Sequence, residues 1–189
     1  MSKYFDITNT QIKGLNIIQR KPIGDTRGYF ERLFCMDELK SLIPDHEIVQ
    51  INHSLTARLG AVRGLHFQHP PHAEIKFVSC LKGMVFDVAV DVRRGSSTFL
   101  KWHAEILTAE NHKTFLIPEG FAHGFQALTA ECEMLYFHTE FYVPDAEGSL
   151  NVKDPLLGIK WPIEITELST RDQKNLFIGN EFEGFNYEM

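Results

Sequence analysis

Glu74-Ile-Lys-Phe-Val-Ser-Cys-Leu81 and Met84-Val-Phe-Asp-Val-Ala-Val-Asp-Val92, joined by Lys82-Gly83, decide the fold class. In an extended chain successive side chains point to opposite faces. The first run then sets Ile75, Phe77, Ser79 and Leu81 on one face and Lys76, Val78 and Cys80 on the other. In the second run Asp87, Ala89 and Asp91 oppose Phe86, Val88 and Val90. β-Branched and aromatic residues fit a pleated surface, and Lys-Gly punctuates the two runs as a turn. Outward from this pair, Arg93-Arg-Gly-Ser-Ser97 reads as a loop. Thr98 to Ile106 and Asn111 to Ile117 read as further strands. Pro118-Glu-Gly120 turns the chain into a strand over His123 to Leu128, which sets His123 at a barrel rim. Glu131 to Val143 reads as a long aromatic strand. Short strands at a spacing of roughly 8–12 residues predict a β-sandwich or barrel. Helix is confined to Met36 to Ile43, stopped by Pro44, and to a short piece around Leu168 to Leu176.

The chain has 189 residues, a length that favours one domain. Hydrophobic residues are 43% and charged residues 23%, ordinary globular usage that excludes disorder, collagen and coiled coil. No apolar run approaches the ~20 residues that cross a bilayer. Met1-Ser-Lys-Tyr-Phe-Asp6 lacks the apolar centre of a signal peptide. A cytoplasmic protein without a membrane partner is expected. The net charge of −6 argues against a nucleic-acid partner. Cys35, Cys80 and Cys132 are odd in number and form no CxxC pair. They read as buried free thiols in strand-like stretches, in a reducing compartment.

The densest chemical cluster is Arg63-Gly-Leu-His-Phe-Gln-His-Pro-Pro-His-Ala-Glu-Ile-Lys76. In a strand Gly64, His66 and Gln68 share a face. A histidine turned into a barrel is placed for proton transfer, but on spacing alone the leading reading is two polar loop histidines and one satisfied core histidine. Metal-binding barrels carry a His-x-His pair, then a Glu, then a distant His. Here Gln68 follows His66, while His72, Glu74 and His123 would complete only a partial set, so no metal and no cofactor is expected. Tyr136 shares parity with Met134 and His138, and an inward hydroxyl needs a partner or a task. Ser169 followed by Asp172 has the capping-box spacing, and on the residues alone that structural reading leads.

Together these segments are familiar: Asp25-Thr-Arg-Gly-Tyr-Phe-Glu31, Gln50-Ile-Asn-His-Ser54, Val62 to Gln68, Pro70-Pro-His-Ala73 with Lys76, Val85 to Asp91 with Arg94-Gly-Ser96, Ile117 to Phe125, and Leu135-Tyr136. The chain resembles the nucleotide-sugar epimerases typified by dTDP-4-dehydrorhamnose 3,5-epimerase, in one order from about residue 14 to residue 178. The resemblance implies an all-β, cupin-type jelly roll with a few short peripheral helices, spanning residues 1–189 with 179–189 as a divergent C-terminal tail. It implies a metal-free homodimer acting on a nucleoside-diphosphate-4-keto-6-deoxyhexose. His66 takes the position of the catalytic base, Tyr136 that of the acid, and Lys76 that of the lysine at the substrate carbonyl. Asp172 takes the position of the aspartate that orients the base, which displaces the capping reading or adds to it. Arg63, His123, Gln50 and Asn52 match substrate-contacting positions. Tyr142 matches the aromatic that stacks on the nucleobase, and Glu147 and Arg171 fall at further binding positions. Arg27 and Glu31 fall in the segment that binds nucleotide, in the partner's site.

Departures cluster near the expected site. Glu74-Ile75 stands where a Gln-Gly-like pair is common, and Phe137-His138 where polar or small residues follow the tyrosine. Gly148-Ser-Leu-Asn-Val152 replaces an Arg-Gly-Ile-Arg-Trp-like run, and Arg171 a lysine. They leave open the nucleotide (dTDP, CDP or GDP) and whether C3, C5 or both are inverted. A single-site epimerase and a metal-dependent enzyme on the same barrel are the alternatives. The net negative charge is a whole-chain average: Arg63, Lys76, Arg27 and Arg171 predict a basic lining that meets a diphosphate.

Overall fold

Both faces of the 74–92 stretch are buried, because this stretch runs through the middle of two facing sheets. The computed structural model describes residues 3–179 and 181–184. Its strands are β1 (Phe5–Asn9), β2 (Asn16–Arg20), β3 (Ile23–Asp25), β4 (Gly28–Phe30), β5 (Gln50–Thr56), β6 (Val62–Gln68), β7 (Lys76–Lys82), β8 (Met84–Asp91), β9 (Trp102–Thr108), β10 (Lys113–Ile117), β11 (Phe121–Ala127), β12 (Cys132–His138) and β13 (Glu147–Ser149). One antiparallel sheet has the order β1-β2-β10-β7-β12-β5 and the other β13-β6-β11-β8-β9, while β3 and β4 pair apart as a hairpin. The architecture is the expected all-β jelly roll. Among the described residues no helix is long and apolar enough to cross a membrane.

The turn at Lys82-Gly83 carries the chain from one sheet to the other. Gly83 sits at φ +81°, and a Cβ there would lie 2.4 Å from Thr129 Oγ1, so only glycine turns this corner. Alternation then sorts the side chains into three apolar layers. Val78, Cys80, Val85 and Ala89 pack between the sheets with Phe115, Phe125 and Met134. Val88 and Val90 face outward but are covered by the C-terminal segment, through Leu150, Val152, Leu157 and Trp161. Phe77 and Ile75 are covered by Phe5, Leu39 and Ile43 from the N-terminal part. The hydrophobic effect therefore buries both faces of each central strand, at about 1.5–3 kcal/mol per large apolar side chain.

Several boundaries differ from those read off the sequence. The strand expected from Thr98 begins at Trp102, because Ser96 and Thr98 each donate a hydroxyl hydrogen bond to buried Asp91, both at 2.6 Å, and hold the chain in a loop. The strand expected over 131–143 ends at His138, where the Thr139 hydroxyl leaves the ladder to accept the Ile75 N–H at 2.9 Å. The helix expected over 36–43 is one α turn, α1 (Met36–Leu39), followed by a 3₁₀ turn over Lys40–Leu42. Around 168–176 only a 3₁₀ turn over Asp172–Lys174 forms. Cys80 and Cys132 are buried free thiols, and burial, reinforced by Cys132, pushes the Cys80 thiol up to about 12. Cys35 is half-buried at the start of α1 rather than in a strand. Of the tail, Phe182 stacks on Phe99 with ring centroids 6.2 Å apart, while residues 180 and 185–189 lie outside the described residues.

β6 and β11 approach unusually closely at Gly64 and Gly124. A Cβ on Gly124 would stand 2.5 Å from the Arg63 carbonyl oxygen, and one on Gly64 2.6 Å from the Gly124 Cα. The register slips between His123 and Phe125, and this brings His123 directly opposite His66. Gly124→Ala is expected to destabilise the fold by about 1–3 kcal/mol, the usual range for overpacking, read as a lowered Tm in a thermal melt. An unchanged Tm would mean that the two strands can separate at no cost.

Candidate active site

At one end of the sandwich the interior turns polar. The parity that sends Val78 and Cys80 inward also sends Lys76 inward, and Asp87 lies inside with Val85 and Ala89. Cross-strand register does the rest: His138 faces Lys76 on one side and Gln50 on the other, and Tyr136 faces Asn52. Arg63, His66, Lys76, His123, Tyr136, Asn52 and Arg171 line one cavity of about 310 Å³. An adjoining cavity of about 240 Å³ adds Gln50, Tyr142 and Glu147. His123, expected at a rim, is instead the third residue of β11 and only 7% exposed, because the strand begins two residues earlier than expected.

His66 Nε2 lies 2.6 Å from Asp172 Oδ1, a short charge-assisted contact. Nε2 therefore carries the proton given to the carboxylate, and Nδ1 keeps a lone pair. Burial acts to raise the Asp172 carboxyl, but His66, the Ser169 hydroxyl and Arg171 outweigh it and hold it below the ordinary range. The Asp172 N–H donates to Ser169 Oγ at 3.0 Å, so the capping geometry and the contact to His66 coexist. Arg171 lays its guanidinium beside the His66 ring and bonds Glu147 at 2.6 Å. Glu147 also accepts the Tyr142 hydroxyl at 3.1 Å.

Tyr136 reaches in from the opposite sheet. Burial pushes its phenol far above the ordinary value, so the hydroxyl keeps its proton, 3.3 Å from Ser54 Oγ. His123 Nε2 lies 2.7 Å from Asp87 Oδ1, and its ring meets Tyr136 edge-on at 6.4 Å. Lys76 Nζ lies 3.0 Å from Glu74 Oε1, and His138 Nδ1 2.6 Å from Glu74 Oε2. The lining is thus not simply basic: Lys76 and Arg171 each bear a carboxylate partner. Arg63, held by Thr56 Oγ1 at 2.9 Å and by the Leu55 carbonyl, has no carboxylate partner among the described residues.

Arg27 and Glu31 stand apart from this cavity. Arg27 is on the exposed β3–β4 hairpin and pairs with Asp25. Glu31 is taken up by Arg20 at 3.0 Å and His112 at 2.8 Å. Glu74 and His138, which the sequence marks only as a partial metal set and as departures, belong to the site, and so do Ser54 and Asp87, to which the sequence reading assigns no role. A carboxylate on the inward parity of an otherwise apolar strand was the available signal for Asp87. Among the described residues no group of three or more His, Cys, Asp or Glu side chains is placed to hold a metal ion.

A family model described as dTDP-4-dehydrorhamnose 3,5-epimerase matches residues 9–179. The Salmonella typhimurium protein of that name is 42% identical over 168 residues, 88% of this chain and 91% of its own length. The crystal structure of a Legionella pneumophila dTDP-6-deoxy-D-glucose-3,5-epimerase in complex with dTDP-4-keto-L-rhamnose is similar at a TM-score of 0.91 and 41% identity, over 98% of this chain and 100% of that one. A 3'-monoepimerase from Streptomyces bikiniensis, in complex with dTDP-quinovose, is similar at 0.81 and 32% identity, over 89% of this chain and 85% of that one.

The depressed Asp172 carboxyl carries a stability signature. A carboxyl held lower in the fold than in the unfolded chain stabilises fully above the ordinary aspartate value of about 3.9, and this is lost as pH falls through the folded value. Asp172→Asn is expected to cost about 1.5–3 kcal/mol near neutral pH. The Tm gap to wild type should stay constant above about pH 5 and close below about pH 4. A gap that persists unchanged at pH 3 would contradict the charge-assisted contact.

Proposed function

Because the chain belongs to the dTDP-4-dehydrorhamnose 3,5-epimerase family, we propose that it is an isomerase that inverts C3 and C5 of a dTDP-4-keto-6-deoxyhexose in deoxysugar biosynthesis. One observation carries this reading above the others. His66 stands on β6 in one sheet and Tyr136 on β12 in the facing sheet, and both line the same cavity with Lys76. A base and an acid that approach a ring from opposite sides are what inversion of a carbon centre requires.

The C4 ketone acidifies the hydrogens on C3 and C5. His66 Nδ1 takes one of these protons while Asp172 steadies the imidazolium that forms. The electron pair of the broken C–H bond moves to the C4 oxygen, and the Lys76 ammonium stabilises the enolate. The Tyr136 phenol then gives its proton to the carbon from the other face. Exchange with solvent returns a proton to Tyr136 and removes one from His66 before the next cycle. Each acid–base step is typically worth ~10²–10⁴ in rate. No cofactor takes part in this scheme, and the reading treats residues 1–189 as one cytoplasmic domain.

Arg63, a cation without a carboxylate partner among the described residues, suits a diphosphate oxygen. Tyr142, half-exposed beside Gln50, suits a stacked nucleobase. Asn52, His123, Glu147 and Arg171 complete the substrate contacts. A homodimer accounts for Arg27: the hairpin that carries it exposes Ile23, Tyr29 and Phe30, and the edge strand β5 exposes Ile51 and Leu55. In that assembly the hairpin reaches the partner's site, while Glu31 braces the hairpin's base through Arg20 and His112. Sedimentation at micromolar concentration is expected to give a dimer, and a strictly monomeric active enzyme would remove this role.

The test of the reaction is NMR in D₂O with dTDP-4-keto-6-deoxyglucose. Wild type is expected to incorporate deuterium at C3 and C5, and His66→Asn to abolish it. Tyr136→Phe should slow inversion more than proton loss. Full exchange by His66→Asn would sink the assignment of the base. Exchange at C3 alone would favour the single-site reading, which the likeness to the 3'-monoepimerase keeps in view.

A further inference from the structure

Lys76 is only 9% exposed, and two carboxylates bear on its charge under opposite electrostatic conditions. Asp87 is fully buried; one oxygen contacts His123 and the other has no hydrogen-bond partner among the described residues. Burial raises its carboxyl above the ordinary range, although His123 and Lys76 pull the other way. Glu74, two residues before Lys76, is half-buried, and there the opposite balance holds. Lys76 and His138 outweigh burial and keep the Glu74 carboxyl below its ordinary value. Glu74 is therefore the carboxylate whose anionic form this site favours.

The geometry explains the difference. Each Glu74 oxygen has its own donor, Lys76 Nζ at 3.0 Å and His138 Nδ1 at 2.6 Å. His138 is in turn contacted at Nε2 by the Asn52 amide nitrogen at 3.3 Å. His138 Nδ1 faces Glu74, and a proton there donates to the carboxylate. Lys76 and His138 are direct cross-strand partners on β7 and β12, Glu74 lies just before β7, and Asn52 stands on β5 two residues on from Gln50, the other partner of His138. The other carboxylates near the cavity are engaged elsewhere: Asp172 contacts His66 and Glu147 bonds Arg171, while Arg63, on β6, is held by Thr56 Oγ1 and the Leu55 carbonyl.

We propose that Glu74, braced by His138, is a positioning residue for Lys76, keeping its ammonium charged and fixed at the place where the enolate oxygen forms. This rests on the role proposed above for Lys76. Removal from water disfavours a charged ammonium unless a counter-charge accompanies it. Glu74 supplies that charge, and His138 stops the carboxylate from turning away by occupying its second oxygen. Glu74 and His138 are two of the departures that distinguish this sequence, one just before the lysine's own strand and one opposite the lysine on β12. Their direct contact means that the two departures act as a unit.

The test reads the charge of Lys76 both without and with substrate. In protein labelled with ¹³C,¹⁵N-lysine, the Lys76 side-chain signal is assigned by its loss in Lys76→Arg and followed against pH. In Glu74→Gln the titration midpoint is expected to fall by about one pH unit or more. The alkaline limb of kcat for deuterium exchange into dTDP-4-keto-6-deoxyglucose should fall with it, while KM stays within about threefold. His138→Gln should shift both in the same direction by less, and decides the matter if Glu74→Gln does not fold. Glu74→Asp, which keeps the charge, should recover part of the loss. An unchanged Lys76 titration and an unchanged alkaline limb in Glu74→Gln would overturn the proposal. If wild type exchanges no deuterium while the Lys76 midpoint still moves, the proposed reaction falls and the charge assignment stands.

Discussion

The site depends on one constraint: an ionisable group taken into the apolar interior must bring its counterpart with it. Three histidine–carboxylate contacts meet this constraint, His66–Asp172 at 2.6 Å, His123–Asp87 at 2.7 Å and His138–Glu74 at 2.6 Å. Each joins residues from different elements, so each is also a statement about where those elements lie. Asp172 comes from the segment after residue 150 that covers the outer face of the five-stranded sheet. The tautomer of His66 is therefore set by the docking of a segment with no strand contact to β7 or β12.

The apolar layers make this polar end affordable. Buried ion pairs are weak contributors to stability, because desolvation of both partners offsets much of their attraction. The cluster between the sheets, with Phe115, Phe121 and Phe125 among its members, supplies the cohesion that the polar end lacks. Asp91 provides an internal comparison. Burial would raise its carboxyl, but Arg93, Ser96 and Thr98 saturate both oxygens and hold it low. Asp87, four residues earlier on the same face, keeps one oxygen without a partner among the described residues. The first network closes a loop, and the second lies behind His123, which lines the cavity.

The parity of β7 and β8 was legible in the sequence and held in the structure, residue for residue. So were the chemical types of His66, Lys76 and Tyr136. The ends of elements were not: Thr98 is a strand former by type, but a buried aspartate two turns away captured its hydroxyl. The sequence sets His123 at a rim because Phe121 and Ala122 look like the continuation of a turn, whereas pairing with Asp91 and Val90 draws them into the strand. The expected basic lining failed for a similar reason. Lysine and arginine are visible in a sequence, but the carboxylates that meet them are not visible as their partners.

Alternation of apolar and polar residues, a local property with a period of two, determined by itself that this chain forms sheets and which residues share a face. The chemistry-bearing residues were determined with it, as types. Only the tertiary structure decided which face closes around a cavity and which acid meets which base. Those partners are 106, 64 and 36 residues apart along the chain. Their meeting is set by strand register and by the docking of the C-terminal segment, and no local pattern encodes either.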